Sequence, residues 1–546
     1  MKNKVYPLYK IPYLPDLRGA IKYVAKKYED RNAFRIPVRG KGDDVYKTFR
    51  EFYNDIEQFG SYLMKLGLSG ARVAILGENC YNWVVSYFAV TNSANTALPL
   101  DRELSPEEHL EMMELCSCKA VICSSSYSDY IDYFKANSKS ADIFIVMDDL
   151  PAYIDEGKKL IDGGFDAFEK LKIDPDSLAA IVFTSGTTGK SKGVMLSHEN
   201  IAHDAVSVCR NTCALGRGIL VLPLHHTFSI TTNVLCELIY GDCIYAVTSL
   251  RTVQRDMQKD KTTLLIAVPA LVETMHKKIL ESAESKGSLK KLQTAMKMSD
   301  FLLKFGIDLR KKLFKDVKDV FGGELEIIIC GGAALSPKVE SDFKSWGFNM
   351  ICGYGITECA PVACVNRNEY QKPGSVGIPV GCNRIRVNDA DDNGIGEIQI
   401  QGSNVFSGYF GDEEENKKSF TDDDWFRTGD LGYIDKDGFV YITGRIKNLI
   451  ILSNGKNVSP EELETKLLDE IPYISEVVVF ADCDSLMAEI YPNTEKYPDA
   501  AERLREAVNE FNRNMPAYKK IKDTIIRTEP FPKTTTMKIK RRKPVK

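Results

Sequence analysis

The stretch SLAAIVFTSGTTGKSKG, Ser177–Gly193, joins an apolar segment to a loop rich in glycine, hydroxyl and lysine residues. The apolar part predicts a strand over Ser177–Thr184, and a helix is predicted after the loop, over Met195–Arg210. The loop therefore lies at the carboxyl end of a strand, which is where α/β folds bind their ligands.

Three properties of this loop suit a polyphosphate: backbone N–H groups freed by glycine, several hydroxyls, and the ammonium groups of Lys190 and Lys192. The Walker pattern needs a glycine five residues before Gly189, and Thr184 occupies that position. A P-loop NTPase is therefore disfavoured. The alternative interpretation is a flexible hydrophilic connection.

Working outward from the loop, strand and helix patterns alternate from residue 50 to about residue 150, which predicts a parallel α/β sheet. Short strands and Asp- and Gly-rich turns begin near Ile385. The chain is thus predicted to be an α/β protein with a large N-terminal domain, residues 1–445, that includes a β-rich subdomain at about 385–445. Residues 446–546 are predicted to form a small C-terminal α+β domain, with the boundary at Arg445 to Lys447. Its predicted elements are an edge strand over Asn448–Leu452, a helix over Pro460–Leu468, a strand over Ser475–Phe480 and a helix over Ala500–Arg513.

Composition excludes several classes of protein. The 546 residues are 44% hydrophobic and 27% charged, with a formal net charge of −4 and a pI near 6.0, so no basic field favours nucleic acid as a partner. The fourteen cysteines are scattered and predict reduced thiols in a cytoplasmic protein. No signal-like apolar segment and no apolar run of ~18 residues is present, so neither secretion nor membrane insertion is expected.

Two further stretches carry polar groups suited to a nucleotide. In CGYGITE, Cys352–Glu358, the tyrosine ring could cover a planar base, and Glu358 could hold a hard cation such as Mg2+. In WFRTGDLGYID, Asp430 could accept hydrogen bonds from ribose hydroxyls. The alternatives are a turn with a solvated glutamate and a β-turn aspartate.

These three stretches, together with GRIKNLIILSNGKNVSPEELE and PKTTTMKIKRR, resemble the motifs of the adenylate-forming superfamily, which includes acyl-CoA synthetases, peptide-synthetase adenylation domains and luciferases. The resemblance extends from about Ser177 to Arg542, and the five motifs occur in the order typical of that family. It implies ATP and Mg2+ as cofactors, and a small C-terminal domain that moves about a hinge between two half-reactions.

The resemblance also implies a role for each matching residue. Lys538 would catalyse adenylation, Thr357 would contact the α-phosphate, Glu358 would hold Mg2+, and His226 in PLHHTF would lie between the acyl pocket and the thiol channel. The residues expected to bind the nucleotide phosphates are Thr184, Ser185, Gly186, Thr187, Thr188, Gly189, Lys190 and Lys192. Those expected near the adenine and ribose are Gly331, Gly332, Ala333, Cys352, Gly353, Tyr354, Gly355, Asp430 and Arg445, with Lys447 as the hinge.

Three positions depart from the family pattern. Ser191 stands where proline is usual, Asn448 where an acidic residue is common, and Met537 where glycine precedes the catalytic lysine. None of the three removes a charged group that the mechanism requires. Met537 makes the backbone before Lys538 less permissive than glycine would.

The long connection between VPALVETM, Val268–Met275, and IIICGGAAL, Ile327–Leu335, resembles the long-chain fatty acyl-CoA synthetases in particular. It implies ligation of a fatty acid to coenzyme A through an acyl-adenylate. One alternative is a stand-alone enzyme that loads an acyl carrier protein. Another is a nucleotide-binding regulatory protein without turnover, against which the presence of Lys538, Glu358 and Asp430 argues.

Within that connection, an apolar stripe at helical spacing predicts an amphipathic helix, flanked by lysines at 304, 311, 312, 315 and 318. Its apolar residues are Leu302, Phe305, Leu309, Leu313 and Val317. Such a helix either makes a peripheral contact with an anionic membrane or packs on its own domain. The sequence leaves both interpretations open, and it does not indicate the oligomeric state.

Overall fold

The computed structural model describes residues 8–38, 43–184, 191–247, 250–452, 456–482 and 485–533, together with Ile539 and Arg541. The strands of the first part are β1 (Asn32–Ile36), β2 (Val45–Thr48), β3 (Arg72–Leu76), β4 (Thr96–Pro99), β5 (Ala120–Cys123), β6 (Ile143–Val146), β7 (Leu178–Thr184), β8 (Lys192–Ser197), β9 (Arg217–Ile219), β10 (Cys243–Tyr245), β11 (Leu264–Ala267), β12 (Ile327–Cys330), β13 (Asn349–Gly355), β14 (Val362–Val365) and β15 (Ile378–Pro379). The later strands are β16 (Asn383–Asn388), β17 (Gly396–Gly402), β18 (Phe426–Ile434), β19 (Val440–Arg445), β20 (Ile450–Ile451), β21 (Asn457–Val458), β22 (Ile474–Asp482), β23 (Ser485–Pro492) and β24 (Ile521–Ile526).

The α-helices surround these strands. In chain order they are α1 (Leu17–Tyr28), α2 (Phe49–Lys65), α3 (Tyr81–Asn92), α4 (Pro106–Leu115), α5 (Ser128–Asn137), α6 (Leu150–Asp162), α7 (Ala167–Lys170), α8 (His198–Asn211), α9 (Glu237–Tyr240), α10 (Val253–Asp260), α11 (Pro269–Ser285), α12 (Leu289–Leu303), α13 (Arg310–Leu313), α14 (Lys315–Asp319), α15 (Pro337–Ser345), α16 (Glu413–Ser419), α17 (Pro460–Glu470) and α18 (Ala500–Arg513). A π-helix over Phe228–Cys236 precedes α9.

Two large sheets form the N-terminal region. One has six strands in the order β6–β5–β3–β4–β7–β8, and the other has nine in the order β15–β14–β13–β12–β11–β9–β10–β1–β2. The central strands of both sheets pair in parallel, and antiparallel strands lie only at the edges. Strands such as β11, whose four residues are all buried, have continuous apolar sequences because helices cover both faces of the sheet. The predicted α/β class is confirmed.

The segment after the glycine-rich loop differs from the prediction. Met195–Ser197 belong to β8, which pairs antiparallel with β7, and α8 begins only at His198. Ser197 caps this helix: its Oγ accepts a 3.1 Å hydrogen bond from the Asn200 N–H, and Oδ1 of Asn200 accepts one of 2.9 Å from the Ser197 N–H. This reciprocal cap fixes the start of the helix and leaves the preceding residues free to extend the sheet.

Strands β16 to β19 form a four-stranded antiparallel meander, as the short strands and turns near Ile385 predict. The C-terminal part has a separate apolar core formed by residues from Ile450 to Ile521. Its helices α17 and α18 match the prediction closely, the predicted edge strand shrinks to β20, and β23 and β24 are additional. The domain boundary at Arg445 to Lys447 stays a prediction, and β19 ends at Arg445.

The predicted single amphipathic helix over Leu302 to Val317 is wrong. Helix α12 ends at Leu303 because Gly306 adopts a left-handed conformation with φ of 76°, and two short helices, α13 and α14, follow. The stripe is therefore divided: Leu313 and Val317 pack on the core, whereas Phe305 and Leu309 are exposed.

The described residues can be compared with the expectations of reduced cysteines and of no membrane-spanning helix. All thirteen of their cysteines are free thiols. Within the same residues, no helix is both long and apolar enough to cross a bilayer.

The C-terminal part contacts the N-terminal region through polar side chains. The Ser336 hydroxyl donates a 2.6 Å hydrogen bond to Oδ1 of Asp469, and Lys496 forms a 2.9 Å ion pair with Glu284. Exposed contacts of this kind contribute little free energy each.

Candidate active site

Adjacent strands bring two of the predicted stretches together. Strands β12 and β13 are parallel neighbours with Cys330 opposite Cys352, so Gly331–Ala333 and Cys352–Gly355 lie at the same edge of the nine-stranded sheet. Gly355 has no room for a side chain, since an added Cβ would lie 2.2 Å from the Pro361 carbonyl oxygen. The chain requires glycine there because β13 and the segment before β14 approach so closely.

Glu358 lies in a short 3₁₀ turn, Thr357–Cys359, directly after β13. Its Oε1 accepts a 2.7 Å hydrogen bond from the Tyr409 hydroxyl. Burial raises the pKa of the Glu358 carboxyl, while the Tyr409 hydrogen bond and the nearby charge of Arg445 oppose that rise and Asp430 adds to it. These electrostatic effects place Glu358 in the same charged environment as Asp430 and Arg445.

Tyr409 is a site residue that the sequence motifs do not identify. Its backbone N–H donates a 2.6 Å hydrogen bond to Oδ1 of Asn416, and the flanking segment pairs with β8 through a 2.8 Å hydrogen bond from the Phe410 N–H to the Gly193 carbonyl. The only local signal is a tyrosine between glycines in SGYFG. Such a pattern indicates a tight turn and does not identify the partner of the tyrosine.

Lys192 at the start of β8 contacts this same tyrosine. Its Nζ lies 5.0 Å from the centre of the Tyr409 ring and 2.5 Å from Oε1 of Glu415. Glu415 is likewise not identified by the sequence motifs. The pairing of Thr184 with Lys192 in β7 and β8 places the two ends of the glycine-rich loop side by side. Since Lys192 contacts the Tyr409 ring and Tyr409 donates a hydrogen bond to Glu358, these ends lie near Glu358.

Asp430 is buried and holds two protein donors. The Tyr354 hydroxyl donates a 2.5 Å hydrogen bond to Oδ2, and Nε of Arg445 lies 2.9 Å from Oδ1. The sheet register explains the second contact, because Asp430 in β18 stands directly opposite Arg445 in β19. Burial, and then the Asp430 charge, raise the pKa of Tyr354 well above its ordinary value, so the hydroxyl stays protonated as a donor.

Each carboxylate oxygen of Asp430 has two lone pairs, so one acceptor position on each remains for a ligand. A diol such as that of ribose matches two such positions on one carboxylate. The structure thus brings Tyr354, Glu358, Asp430 and Arg445 into one cluster from three separate stretches of sequence.

Lys447 lies directly after the cluster, in a short 3₁₀ turn over Ile446–Asn448. Desolvation, followed by the positive charge of Arg445, lowers its pKa. Ser459 of the C-terminal part donates a 2.6 Å hydrogen bond to the Thr443 carbonyl, so the chain on both sides of Lys447 is held.

His226 precedes the π-helix, and its ring centre lies 4.1 Å from that of His225. Nε2 of His225 lies 3.5 Å from Oδ1 of Asp101. Burial, followed by the neighbouring His226 and Arg102, lowers the pKa of His225 well below its usual range, so it is neutral at pH 7. The π-helix that follows carries Phe228 and Thr232 into an apolar cavity.

This cavity, of about 70 Å³, runs beside β11 and reaches the strand ends that carry Tyr354 and Gly331. Its lining is almost wholly apolar, and burial raises the pKa of the one carboxyl in it, that of Glu237, well above the ordinary value. The lining residues are Val208, Thr212, Ala214, Phe228, Thr232, Cys236, Glu237, Tyr240, Leu264, Ile266, Ile329, Cys330, Gly331, Gly332, Gly353, Tyr354, Gly355, Pro361, Val362 and Val365. An uncharged apolar space therefore adjoins the polar cluster directly, with Tyr354 shared by both.

Several predicted site residues lie outside the described residues. They are Ser185, Gly186, Thr187, Thr188, Gly189, Lys190 and Lys538, and Met537 lies with them.

Comparison with known sequences gives a consistent picture. Residues 21–410 match the family described as AMP-binding enzyme, and residues 447–546 match its C-terminal domain. The long-chain-fatty-acid–CoA ligase FadD15 of Mycobacterium bovis is 28% identical over 82% of this chain and 76% of its own length. The long-chain-fatty-acid–CoA ligase 1 of Saccharomyces cerevisiae is 30% identical over 58% of this chain and 49% of its own length.

Among solved structures, the anthranilate CoA ligase AuaEII in complex with anthranoyl-AMP aligns with a TM-score of 0.77. The alignment covers 98% of this chain and 96% of that one, at 21% sequence identity. At this identity the likeness establishes the fold, with a large N-terminal region of sheets followed by a C-terminal domain.

Proposed function

Because the chain belongs to the AMP-binding enzyme family, we propose that it joins a fatty acid to coenzyme A at the expense of ATP. In the first step a carboxylate oxygen attacks the α-phosphorus of ATP, and pyrophosphate leaves as acyl-AMP forms. In the second step the thiol sulfur attacks the acyl carbon, AMP leaves, and the thiol proton passes to solvent. The observation that carries the proposal is the apolar cavity that ends at Tyr354, beside the carboxylates of Asp430 and Glu358.

The residues of the cluster divide this work between binding and electrostatic stabilisation. Asp430 accepts hydrogen bonds from the ribose hydroxyls while Tyr354 and Arg445 hold its carboxylate in place. Thr357 contacts the α-phosphate, and Thr184, Lys192 and the loop between them bind the phosphate chain. Charge grows on the phosphoryl oxygens during the first step, so fixed donors and cations lower that barrier most.

The donors around Glu358 fit a magnesium ion. Mg2+ usually binds through one or two carboxylates and completes its shell with substrate phosphate oxygens and water. Burial without a cation raises the pKa of Glu358, and a divalent ion would stabilise its ionised form. When bound, the ion would neutralise charge on the phosphate oxygens.

The sequence relatives and the cavity volume favour acids of different sizes. The sequence relatives are ligases of long-chain fatty acids. The cavity of about 70 Å³ is smaller than an engineered cavity of ~150 Å³ that binds benzene, so a long chain requires side chains around it to move. The volume therefore favours a compact acid as the second candidate substrate.

The proposed acceptor is coenzyme A, and a separate acyl carrier protein is the alternative. Either thiol would approach the acyl-adenylate after the small domain has turned about Lys447 and removed Lys538. Comparing AMP release after adding coenzyme A with AMP release after adding carrier protein distinguishes the two.

The test is pyrophosphate release by the pure protein with Mg2+, ATP and a panel of fatty, aryl and amino acids. We expect release with fatty acids, and the acid with the highest kcat/KM defines the chain length. Lys538→Ala should slow acyl-AMP formation by ~100- to 1000-fold and spare thioester formation from supplied acyl-AMP. If no acid in the panel yields an acyl-adenylate, the proposed function is wrong.

A further inference from the structure

A compact group of apolar side chains faces solvent at the end of α12. Met298, Phe301, Phe305, Ile307 and Leu309 have exposed fractions between 40% and 67%. They are five of the sixteen large hydrophobic residues that are at least 40% exposed in the described part of the chain, and they fall within twelve positions. Because single exposed apolar residues are common and clusters are not, this group, which we call the 298–309 patch, requires a partner.

The patch is not needed to hold α12 on the protein. The opposite side of the helix packs on the core through Leu292, Ala295 and Met296. The carboxylate of Asp300 also accepts hydrogen bonds of 2.9 and 3.0 Å from the Ser345 hydroxyl at the end of α15. Helix α12 therefore has an inner apolar face that packs against the core and an outer apolar face that is exposed to solvent.

The outer face has a fixed shape. The rings of Phe301 and Phe305 lie 5.1 Å apart in an edge-to-face arrangement. Beyond the helix, the Ile307 N–H donates a 3.1 Å hydrogen bond to the Leu302 carbonyl, and Gly306 supplies the left-handed residue that this turn needs. This hydrogen bond fixes the path of the chain from Phe305 to Ile307.

Positive charge surrounds the patch. Residues 286–318 contain ten lysines and arginines but only three aspartates and no glutamate. Of these cations, Arg310, Lys311 and Lys315 pair with carboxylates and Lys318 is buried, which leaves six lysines with no ion pair among the described residues. Lys297 and Lys304 lie seven positions apart on the same side of the chain as Phe301. Neither these two nor Lys312 forms an ion pair with any residue that the structure describes, so their ammonium groups are available to a partner.

We propose that the 298–309 patch docks the protein onto an anionic lipid bilayer. The two aromatic rings and their apolar neighbours enter the boundary between headgroups and acyl chains, and the lysines contact the lipid phosphates and carboxylates. A second copy of the chain is a poorer partner, because two such patches would bring two positive rims together. The proposal is independent of the proposed function, since docking requires neither ATP nor an acid.

Vesicle flotation with the full-length protein tests this directly. Vesicles of pure phosphatidylcholine are compared with vesicles that also contain phosphatidylserine, at low and at high salt, without substrates. We expect binding to the anionic vesicles and its loss at high salt, because the surface attraction of the lysines is screened. The double variant Phe301→Ser, Phe305→Ser should bind about tenfold more weakly, as should Lys304→Glu, Lys312→Glu.

Matched controls separate the patch from general effects of charge and apolarity. Leu115→Ser removes an apolar side chain that is 53% exposed at the end of α4, and Lys158→Glu reverses an exposed charge on α6. Both should bind vesicles like the unchanged protein, and circular dichroism melting should show that all variants are folded.

Two outcomes would overturn the proposal. One is equal vesicle binding, or none, by the unchanged protein and the patch variants. The other is patch-dependent self-association in light scattering, which would identify the patch as an interface between two copies. A protein that binds vesicles but makes no acyl-adenylate would still support docking while the proposed function failed.

Discussion

The hydroxyl of Tyr354 and the carboxylate of Asp430 are joined by a 2.5 Å hydrogen bond between two different sheets. Tyr354 belongs to β13 of the nine-stranded sheet and Asp430 to β18 of the four-stranded meander. Since Tyr354 also lines the apolar cavity, this one side chain contacts both the proposed nucleotide site and the proposed acyl site. Under the proposed function, Tyr354 couples the position of the acid to the position of the ribose.

Replacing Tyr354 by phenylalanine should therefore weaken ATP binding more than it slows chemistry. A hydrogen bond to a charged group contributes about 1.5 to 3 kcal/mol, which corresponds to a rise of roughly 10- to 100-fold in the KM for ATP. Tyr354→Phe keeps the ring in the cavity, so the KM for the acid should change little. ATP–pyrophosphate exchange measures both constants.

The control for this variant is Tyr433→Phe, in the same strand as Asp430, where the ring stacks on Tyr441 at 4.7 Å. It should leave both constants unchanged. A Tyr354→Phe variant with an unchanged KM for ATP would show that the Tyr354 hydrogen bond does not position Asp430 for the nucleotide.

Tyr409→Phe should change how the adenylation rate depends on pH. Burial raises the pKa of Glu358 and the Tyr409 hydrogen bond lowers it, so removing the hydroxyl raises the pKa further. Only the ionised carboxylate binds a cation, and activity is lost as the pH falls through this pKa. The acidic limb of kcat/KM for pyrophosphate release should therefore move to higher pH.

The requirement for Mg2+ provides a second readout of the same change. At a pH on the acidic limb, Tyr409→Phe should need more Mg2+ for half-maximal rate, and at high pH the two proteins should converge. A shift of equal size at every pH would contradict this role and indicate general damage to the site.

If the apolar cavity is the proposed acyl site, filling part of it should change the substrate preference. Ala214 is buried and lines the cavity. It lies just before β9 begins, whereas Gly331 follows the end of β12, and the parallel pairing of β9, β11 and β12 puts the two residues at opposite edges of the sheet. Ala214→Phe should fill this end and lower kcat/KM for long acids by about tenfold or more, at a stability cost of about 1 to 3 kcal/mol.

Short acids should react with Ala214→Phe nearly as they do with the unchanged protein, which makes them the internal control. The measurement is pyrophosphate release over a series of straight-chain acids. An equal loss at every chain length would mean that Ala214 does not limit the acyl chain.

The sequence predicts the parts of this site that depend on local chemistry. The strand before the glycine-rich loop, the α/β class and the residues Tyr354, Glu358, Asp430 and Arg445 all follow from apolar periodicity and family motifs. These residues occupy strand ends and turns whose local sequence is distinctive. The structure adds that Tyr354, Glu358, Asp430 and Arg445, which come from three separate stretches of sequence, meet in one cluster.

Long-range contacts explain what the sequence did not predict. Tyr409 contacts Glu358 across 51 positions, and Glu415 contacts Lys192 across 223, so neither partner leaves a local signal. The amphipathic stripe does not form one helix for a local reason, because Gly306 adopts a left-handed conformation and ends α12. The Glu358 to Tyr409 contact is the clearest case of tertiary structure supplying a site residue.

Asp242 predicts how stability depends on pH. It is 1% exposed, its Oδ1 accepts a 2.7 Å hydrogen bond from the Gly216 N–H, and burial raises its pKa to about 7 from an ordinary value of 3.8. Between these two values the folded protein holds a proton that the unfolded chain has released. The free energy of unfolding therefore falls as the pH rises through this range and is level above about pH 7.

Asp242→Asn keeps the Oδ1 acceptor and removes the ionisation, so its stability should not show this fall. Between pH 5 and pH 8 the difference in free energy of unfolding should move by about 3 kcal/mol in favour of the variant, at 1.36 kcal/mol for each pKa unit. Thermal melting at both pH values measures it as a rise in the relative Tm of the variant at pH 8. Asp392→Asn, at an exposed aspartate, is the control and should follow the unchanged protein. Parallel pH curves for Asp242→Asn and the unchanged protein would show that Asp242 is ionised in the folded state throughout.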